Sequence, residues 1–328
     1  MMRLVVMGTG SFAEPTFRAL LESSYQVVGL VTQPDRATGK ERGSTRQARQ
    51  GMKEIAIERG IPVLQPESIN LPEGIASLQS LQPDLLVVAA YGQILSKAVL
   101  AVPPLGGINV HASLLPKYRG AAPINWAIYH GEKQSGVTII RMSISLDAGD
   151  ILAQEATDIL LDETAGELEA RLGPLGAKLA IETVDKLALG PVAGISQDKG
   201  QATKAPKLTK EHGLIDWSRP AVGVCNQIRA MQPWPTAYTY LHRAGIEPIR
   251  LILHRVKLAE KPSARRDVVA GSLVADGTRS RLWAHCGDTE WIEIMELQPA
   301  GKRRMSAQDF LRGNAVLPDA RLGGEMLA

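Results

Sequence analysis

Asn109 and His111 stand two residues apart at the end of the apolar run around Ile108. An acidic residue, Asp147, follows in the loop Ser145-Leu146-Asp147-Ala148-Gly149-Asp150. If Gly107 to His111 is a strand, its side chains alternate, so the amide and the imidazole share a face. The chain then breaks at Pro116 and turns at Gly120. An amide can donate to a carbonyl oxygen as that oxygen gains negative charge. An imidazole exchanges protons near neutral pH, and a carboxylate can orient it and favour its charged form. Together the three groups suit acyl or formyl transfer to an amine. An α-amine has a pKa of roughly 7.7–8.0, so starting the attack needs no strong base. The later demands are an oxyanion to hold, a proton to remove and a proton to supply to the leaving nitrogen. Each residue type also has an ordinary use: Asn as a backbone cap, His as a satisfied structural residue, Asp beside Gly as a turn former.

Such a pair at a strand end needs a sheet to carry it, and open α/β sheets place their chemistry there. Leu4 to Met7 reads as a buried strand ended by Gly8-Thr9-Gly10, followed by a helix with Phe12, Phe17, Leu20 and Leu21. Val27 to Val31, Asp84 to Ala89, Gly107 to His111 and Val137 to Met142 read as further strands. Met52 to Arg59 reads as a helix, with the polar stretch 34–50 before it as a loop. Thr164 with Glu167 forms a capping-box pattern opening a helix to about Leu189. This alternation predicts an α/β fold with a Rossmann-like, mostly parallel, doubly wound sheet over residues 1–189. Gly190 to Pro206 carries Gly, Pro, Gln and Lys with little apolar periodicity and reads as a linker, 190–207. Beyond it, Ile249 to Val256, Ser272 to Val274, Leu282 to His285 and Trp291 to Met295 are short strand-like runs, which suggest a small β-barrel over 208–328.

The chain has 328 residues, 45% of them apolar and 22% charged, as in an ordinary globular protein. It has no apolar run of about 18 residues, so no membrane partner is expected. The N-terminus enters a strand at once, and Cys225 and Cys286 lack metal-like spacing. A cytoplasmic protein without a metal is the expectation. The net charge of +3 is uneven: residues 206–328 carry 18 Lys and Arg against 13 Asp and Glu, residues 1–205 carry 19 against 21. A basic C-terminal part fits a polyanionic partner, although ordinary charge scatter competes. Gly8-Thr9-Gly10-Ser11-Phe12-Ala13 fits a dinucleotide fingerprint, but the second strand ends Val31-Thr32-Gln33-Pro34 without the acid that would hold a ribose. Close helix packing on the sheet is the competing reading, and no nicotinamide is expected. His130, His212, His242, His254 and Cys225 read as structural.

Asn109, His111 and the SLLPKYRG stretch from Ser113 to Gly120, with the later Asp147, resemble the signature of the 10-formyltetrahydrofolate-dependent formyltransferases. The likeness spans nearly the whole chain. Ala205-Pro206-Lys207-Leu208, Ile215-Asp216-Trp217, Pro233-Trp234-Pro235 and Met305 to Leu311 resemble the members that act on methionyl initiator tRNA. The resemblance implies a catalytic domain followed by an OB-like, tRNA-binding barrel, with Asn109, His111 and Asp147 as the catalytic group. It puts a folate pocket on Tyr91, Gly92, Gln93, Ile94 and Leu95, on Ser113, Leu114, Leu115 and Pro116, and on the loop before Asp147. It also implies that the basic loop after the second strand meets the tRNA acceptor stem. That loop carries Arg36, Lys40, Arg42, Arg46 and Arg49, and its customary proline-containing stretch is here Gly43 to Arg49. The implied function is transfer of formyl from 10-formyltetrahydrofolate to the α-amino group of methionyl initiator tRNA, for translation initiation, by a monomer. Two rivals remain: a formyltransferase acting on a sugar nucleotide or another small amine, and an RNA-binding module whose catalytic domain is a relic.

Overall fold

The computed structural model describes residues 1–35, 44–260, 262, 268–317 and 319–326, with the backbone alone for 44–50. Its contacts divide the chain into two compact units. The first comprises Met1–Ile124, Lys133–Ile159 and Glu167–Lys207; the second comprises Asn125–Glu132, Leu160–Gly166 and Leu208–Ala328. The stretch read as a linker therefore belongs to the first unit.

In chain order the first part runs β1 (Arg3–Gly8), α1 (Glu14–Leu21), β2 (Gln26–Val31), α2 (Ser44–Glu58), β3 (Val63–Leu64), α3 (Pro72–Ser80), β4 (Leu85–Ala89) and α4 (Lys97–Leu100). Then come β5 (Gly107–His111), β6 (Arg119–Gly120), α5 (Pro123–Tyr129), β7 (Gln134–Arg141), β8 (Ile151–Asp158), α6 (Ala165–Leu189) and β9 (Lys204–Ala205). Seven strands form one sheet in the order β3-β2-β1-β4-β5-β7-β8. The pairs from β3 to β5 are parallel, whereas β5–β7 and β7–β8 are antiparallel. The expected Rossmann-like, mostly parallel sheet is what forms. The central strands are apolar throughout because both faces are covered. Val5, Met7, Leu86 and Val88 join Ile69, Leu78 and Val99 in one core cluster. On the opposite face α6 lies close to β5: a Cβ added to Gly176 would come 2.8 Å from Val110 Cγ1. Val110 thus anchors the strand from behind, and its neighbours Asn109 and His111 point the other way.

Helix α2 and strand β8 are among the elements that differ from the sequence expectation. Helix α2 starts at Ser44 rather than Met52, because its first turns hold Thr, Arg, Gln and Ala, which favour or tolerate helix without an apolar stripe. Strand β8 went unpredicted. It is an edge strand whose residues alternate between half-buried and exposed, so Gln154, Glu155 and Asp158 mask its pattern. The dinucleotide-like turn is a packing device: a Cβ on Gly8 would sit 2.8 Å from Ala13 Cβ and 2.9 Å from Ala89 O.

The second unit holds α7 (Ala221–Ala230), β10 (Ala237–Arg243), β11 (Ile246–Ala259), β12 (Leu273–Ala275), β13 (Leu282–His285), β14 (Trp291–Pro299), β15 (Met305–Ser306), α8 (Ala307–Gly313) and β16 (Arg321–Gly323). Its strands run β12-β13-β14-β11-β10-β16. A bridge between Ser272 and Arg321 nearly closes them into the expected small barrel. Strand β10 escaped the sequence reading because its contrast is inverted. Small Ala237 and Thr239 are buried, while the larger Tyr238 and Tyr240 are only half-buried. Among the described residues no helix is long and apolar enough to cross a membrane.

Candidate active site

The candidate site is built at the C-terminal end of β5. Parallel pairing with β4 and antiparallel pairing with β7 fix this strand on both sides: Asn109 lies opposite Val88 and Ile140, His111 opposite Thr138. The two side chains therefore share one face, and the Asp147 loop meets them there. Asp147 Oδ2 lies 3.7 Å from His111 Nδ1, and both side chains are largely buried. Asn109 Nδ2 donates to Asp147 Oδ1 at 3.4 Å, a long bond. The Gly120 backbone N–H donates to Asp147 Oδ2 at 2.8 Å. One carboxylate thus faces an amide, an imidazole and a peptide N–H.

His111 Nε2 lies 2.9 Å from the Tyr118 carbonyl oxygen. That partner can only accept, so Nε2 carries a hydrogen and the proton-exchanging nitrogen is Nδ1, the one facing Asp147. The 3.7 Å gap is ion-pair range rather than hydrogen-bond range; such contacts tighten when a site fills. The arrangement can donate to a carbonyl oxygen from Asn109 and can move a proton at His111 Nδ1 under the field of Asp147.

Ser113 to Gly120 wraps this centre. Thr138 Oγ1 donates to Ser113 O at 2.6 Å and accepts from Leu115 N at 3.1 Å and from Gln154 Nε2 at 2.8 Å. Gln154 Nε2 also reaches Leu115 O at 2.9 Å, so β7 and β8 hold the segment before the cis Leu115-Pro116 bond. Further on, Tyr118 N donates to Thr203 Oγ1 at 2.8 Å, Arg119 N to Thr203 O at 2.9 Å and Ala121 N to Ala205 O at 2.8 Å. These bonds pair β6 with β9.

The nine positions assigned to a folate pocket fall into three groups. Tyr91, Leu95, Ser113 and Leu115 are buried, so their side chains back the loops. Tyr91 belongs to the core cluster, and burial pushes its phenol up to about 12. Gln93 braces its own loop, accepting from Ile69 N and donating to Glu67 O. Gly92, Ile94, Leu114 and Pro116 offer accessible surface, with Ile94 at 66% exposure. Ile144 and Leu146, in the loop before Asp147, are also exposed. Arg36, Lys40 and Arg42 lie outside the described residues, as do the side chains of Arg46 and Arg49 within α2. Arg119 lies within the Ser113–Gly120 stretch but is given no role by it, and Thr138, Gln154, Gln197 and Thr203 also shape the site and carry no sequence signal that singles them out. Each is one polar residue in a strand or an aperiodic stretch. Elsewhere, His242 and His254 make ordinary structural contacts with Gly324 O and Gln298 Oε1.

Comparison with known proteins gives the same picture over the whole chain. The formyl transferase family model matches residues 2–184, and the formyl transferase C-terminal domain model matches residues 207–315. A methionyl-tRNA formyltransferase of Citrifermentans bemidjiense is 45% identical over 322 residues, covering 98% of this chain and 96% of the relative. That of Bacillus subtilis is 43% identical over 316 residues, covering 96% of each. Among solved structures, the N-formyltransferase from Helicobacter canadensis, in complex with folinic acid and dTDP-3-aminofucose, shares the fold. Its TM-score is 0.64 at 16% identity, over 91% of this chain and all of that one.

Proposed function

Because the chain belongs to the formyl transferase family, we propose that it moves a formyl group from 10-formyltetrahydrofolate to the α-amino group of methionyl initiator tRNA. The observation that carries the chemistry is the Asp147 carboxylate set against Asn109, His111 and the Gly120 N–H. The acceptor is taken from the names of relatives that are 41–45% identical over nearly the full chain.

In this reading a bond forms between the acceptor nitrogen and the formyl carbon, and the bond from that carbon to the folate nitrogen breaks. Asn109 Nδ2 uses its second N–H to hold the oxygen while it is negative; one such donor is typically worth about 10²–10³ in rate. His111 Nδ1 takes the proton released by the acceptor ammonium and passes it on to the leaving nitrogen. Asp147 stabilises the imidazolium between those events. The accessible groups at Gly92, Ile94, Leu114 and Pro116, with Ile144 and Leu146, supply apolar surface for the donor. The five cations between residues 36 and 49 supply phosphate contacts, and the barrel supplies further surface for the nucleic acid.

A direct acceptor assay tests this reading. With 10-formyltetrahydrofolate as donor, formamide is expected on methionyl initiator tRNA and not on free methionine or an amino-sugar nucleotide. Transfer to the sugar nucleotide instead would overturn the acceptor; transfer to none of them, with tight tRNA binding, would leave a binding module. In the same assay Arg42→Ala is expected to raise the KM for tRNA and to flatten its dependence on salt by a slope of about 1. An unchanged slope would remove Arg42 from the phosphate contacts.

A further inference from the structure

We propose that Gln197, in the aperiodic stretch between α6 and β9, is a positioning residue that holds the Asp147 carboxylate in its working place. Asp147 has a backbone φ of 48°, in the left-handed region that few residues other than glycine occupy and that Asp and Asn enter most readily. The Gln197 side-chain amide grips the backbone on both sides of the next residue. Its Nε2 donates to Asp147 O at 2.9 Å and to Gly149 O at 2.7 Å. Its Oε1 accepts from Arg119 Nε at 3.1 Å and Nη2 at 2.7 Å.

Arg119 is flanked by the two residues whose backbone meets the centre: Tyr118, whose carbonyl holds His111, and Gly120, whose N–H holds Asp147. The contacts therefore close a ring from His111 through Tyr118, Arg119 and Gln197 to the Asp147 loop. Gln197 is only 8% exposed, so water competes little for these bonds. Its own backbone is fixed nearby by reciprocal bonds between Ile195 and Ile151, each 2.8 Å. Only a primary amide offers two donors and an acceptor from one planar group. A carboxylate of the same size would keep Arg119 and lose both loop carbonyls.

The inference rests on the proposed catalytic role of Asp147, and the test separates the two. Gln197→Glu and Gln197→Ala are compared with the unaltered protein, in wild-type and Asp147→Asn backgrounds, with kcat and the KM for methionyl-tRNA measured separately. Both substitutions are expected to lower kcat about 10²-fold with KM little changed, the usual effect of misplacing a catalytic group by about 1 Å. In the Asp147→Asn background they are expected to cost almost nothing more, because the group they position is already disabled. Folded Gln197→Glu with wild-type kcat would overturn the proposal, as would an equal loss in both backgrounds. Should Gln197→Ala fail to fold, Gln197→Glu carries the test, since it preserves side-chain volume and the Arg119 contact. Full activity in Asp147→Asn itself would end the catalytic reading and this proposal with it, whereas a slow Asp147→Asn beside a fully active Gln197→Glu would end this proposal alone.

Discussion

Replacing Asn109 with alanine is expected to lower turnover by about 10²–10³-fold while leaving folate affinity close to its starting value. The strand will survive the change. Its register depends on backbone pairing to β4 and β7, and Val110 packs from the far side against α6. What alanine removes is a donor aimed into the site by the pleat of β5. One N–H of that amide points at Asp147 Oδ1, which fixes its plane and leaves the other for the oxygen of the transferred group. This contact strengthens as charge develops, so its loss falls on turnover rather than on binding. Steady-state kinetics with a separate measurement of folate binding will check it. A variant with normal turnover would take Asn109 out of the mechanism.

Gly149→Ala is expected to be nearly as damaging, although the residue has no chemistry of its own. A Cβ there would lie 1.7 Å from Arg141 O, a backbone atom that cannot swing away. Arg141 N in turn donates to Asp150 O at 2.9 Å, so the close approach lies where the Asp147 loop returns to the sheet. The loop must lift to admit the methyl group, which carries Asp147 away from His111 and Gly120. A loss of at least about 10²-fold in turnover follows if the carboxylate shifts by about 1 Å. Circular dichroism and a melting curve will show whether the fold persists. A folded Gly149→Ala with unimpaired turnover would mean that the loop is not held by this contact.

Much of the catalytic unit was legible in the sequence because its signals are local. The apolar runs at 4–7 and 85–89, short and bounded by turn residues, read as buried strands and are so, and the Asn109–His111 spacing carries its own geometry once a strand is assumed. The helix expected from Thr164 is the observed α6. Legibility failed where polar groups do the structural work. The stretch around Gln197 and Thr203 reads as a linker since it lacks apolar periodicity, yet it is fastened by one side-chain amide, a threonine hydroxyl and a short strand pair. Strands β8 and β10 were missed for related reasons, one being a polar edge and the other burying its small residues. The burial of Tyr91 was equally hidden. An aromatic residue beside Gly92 invites a place in a ligand slot, and only the packed sheet shows its ring in the core.

We propose that His111 and Asp147 act as one unit on a single carbonyl carbon. A double-mutant cycle in single-turnover formyl transfer tests it most directly, using His111→Ala, Asp147→Asn and the two combined. Strong non-additivity is expected, with the double variant hardly slower than the slower single variant. Losses that simply multiply would show two independent groups and contradict it.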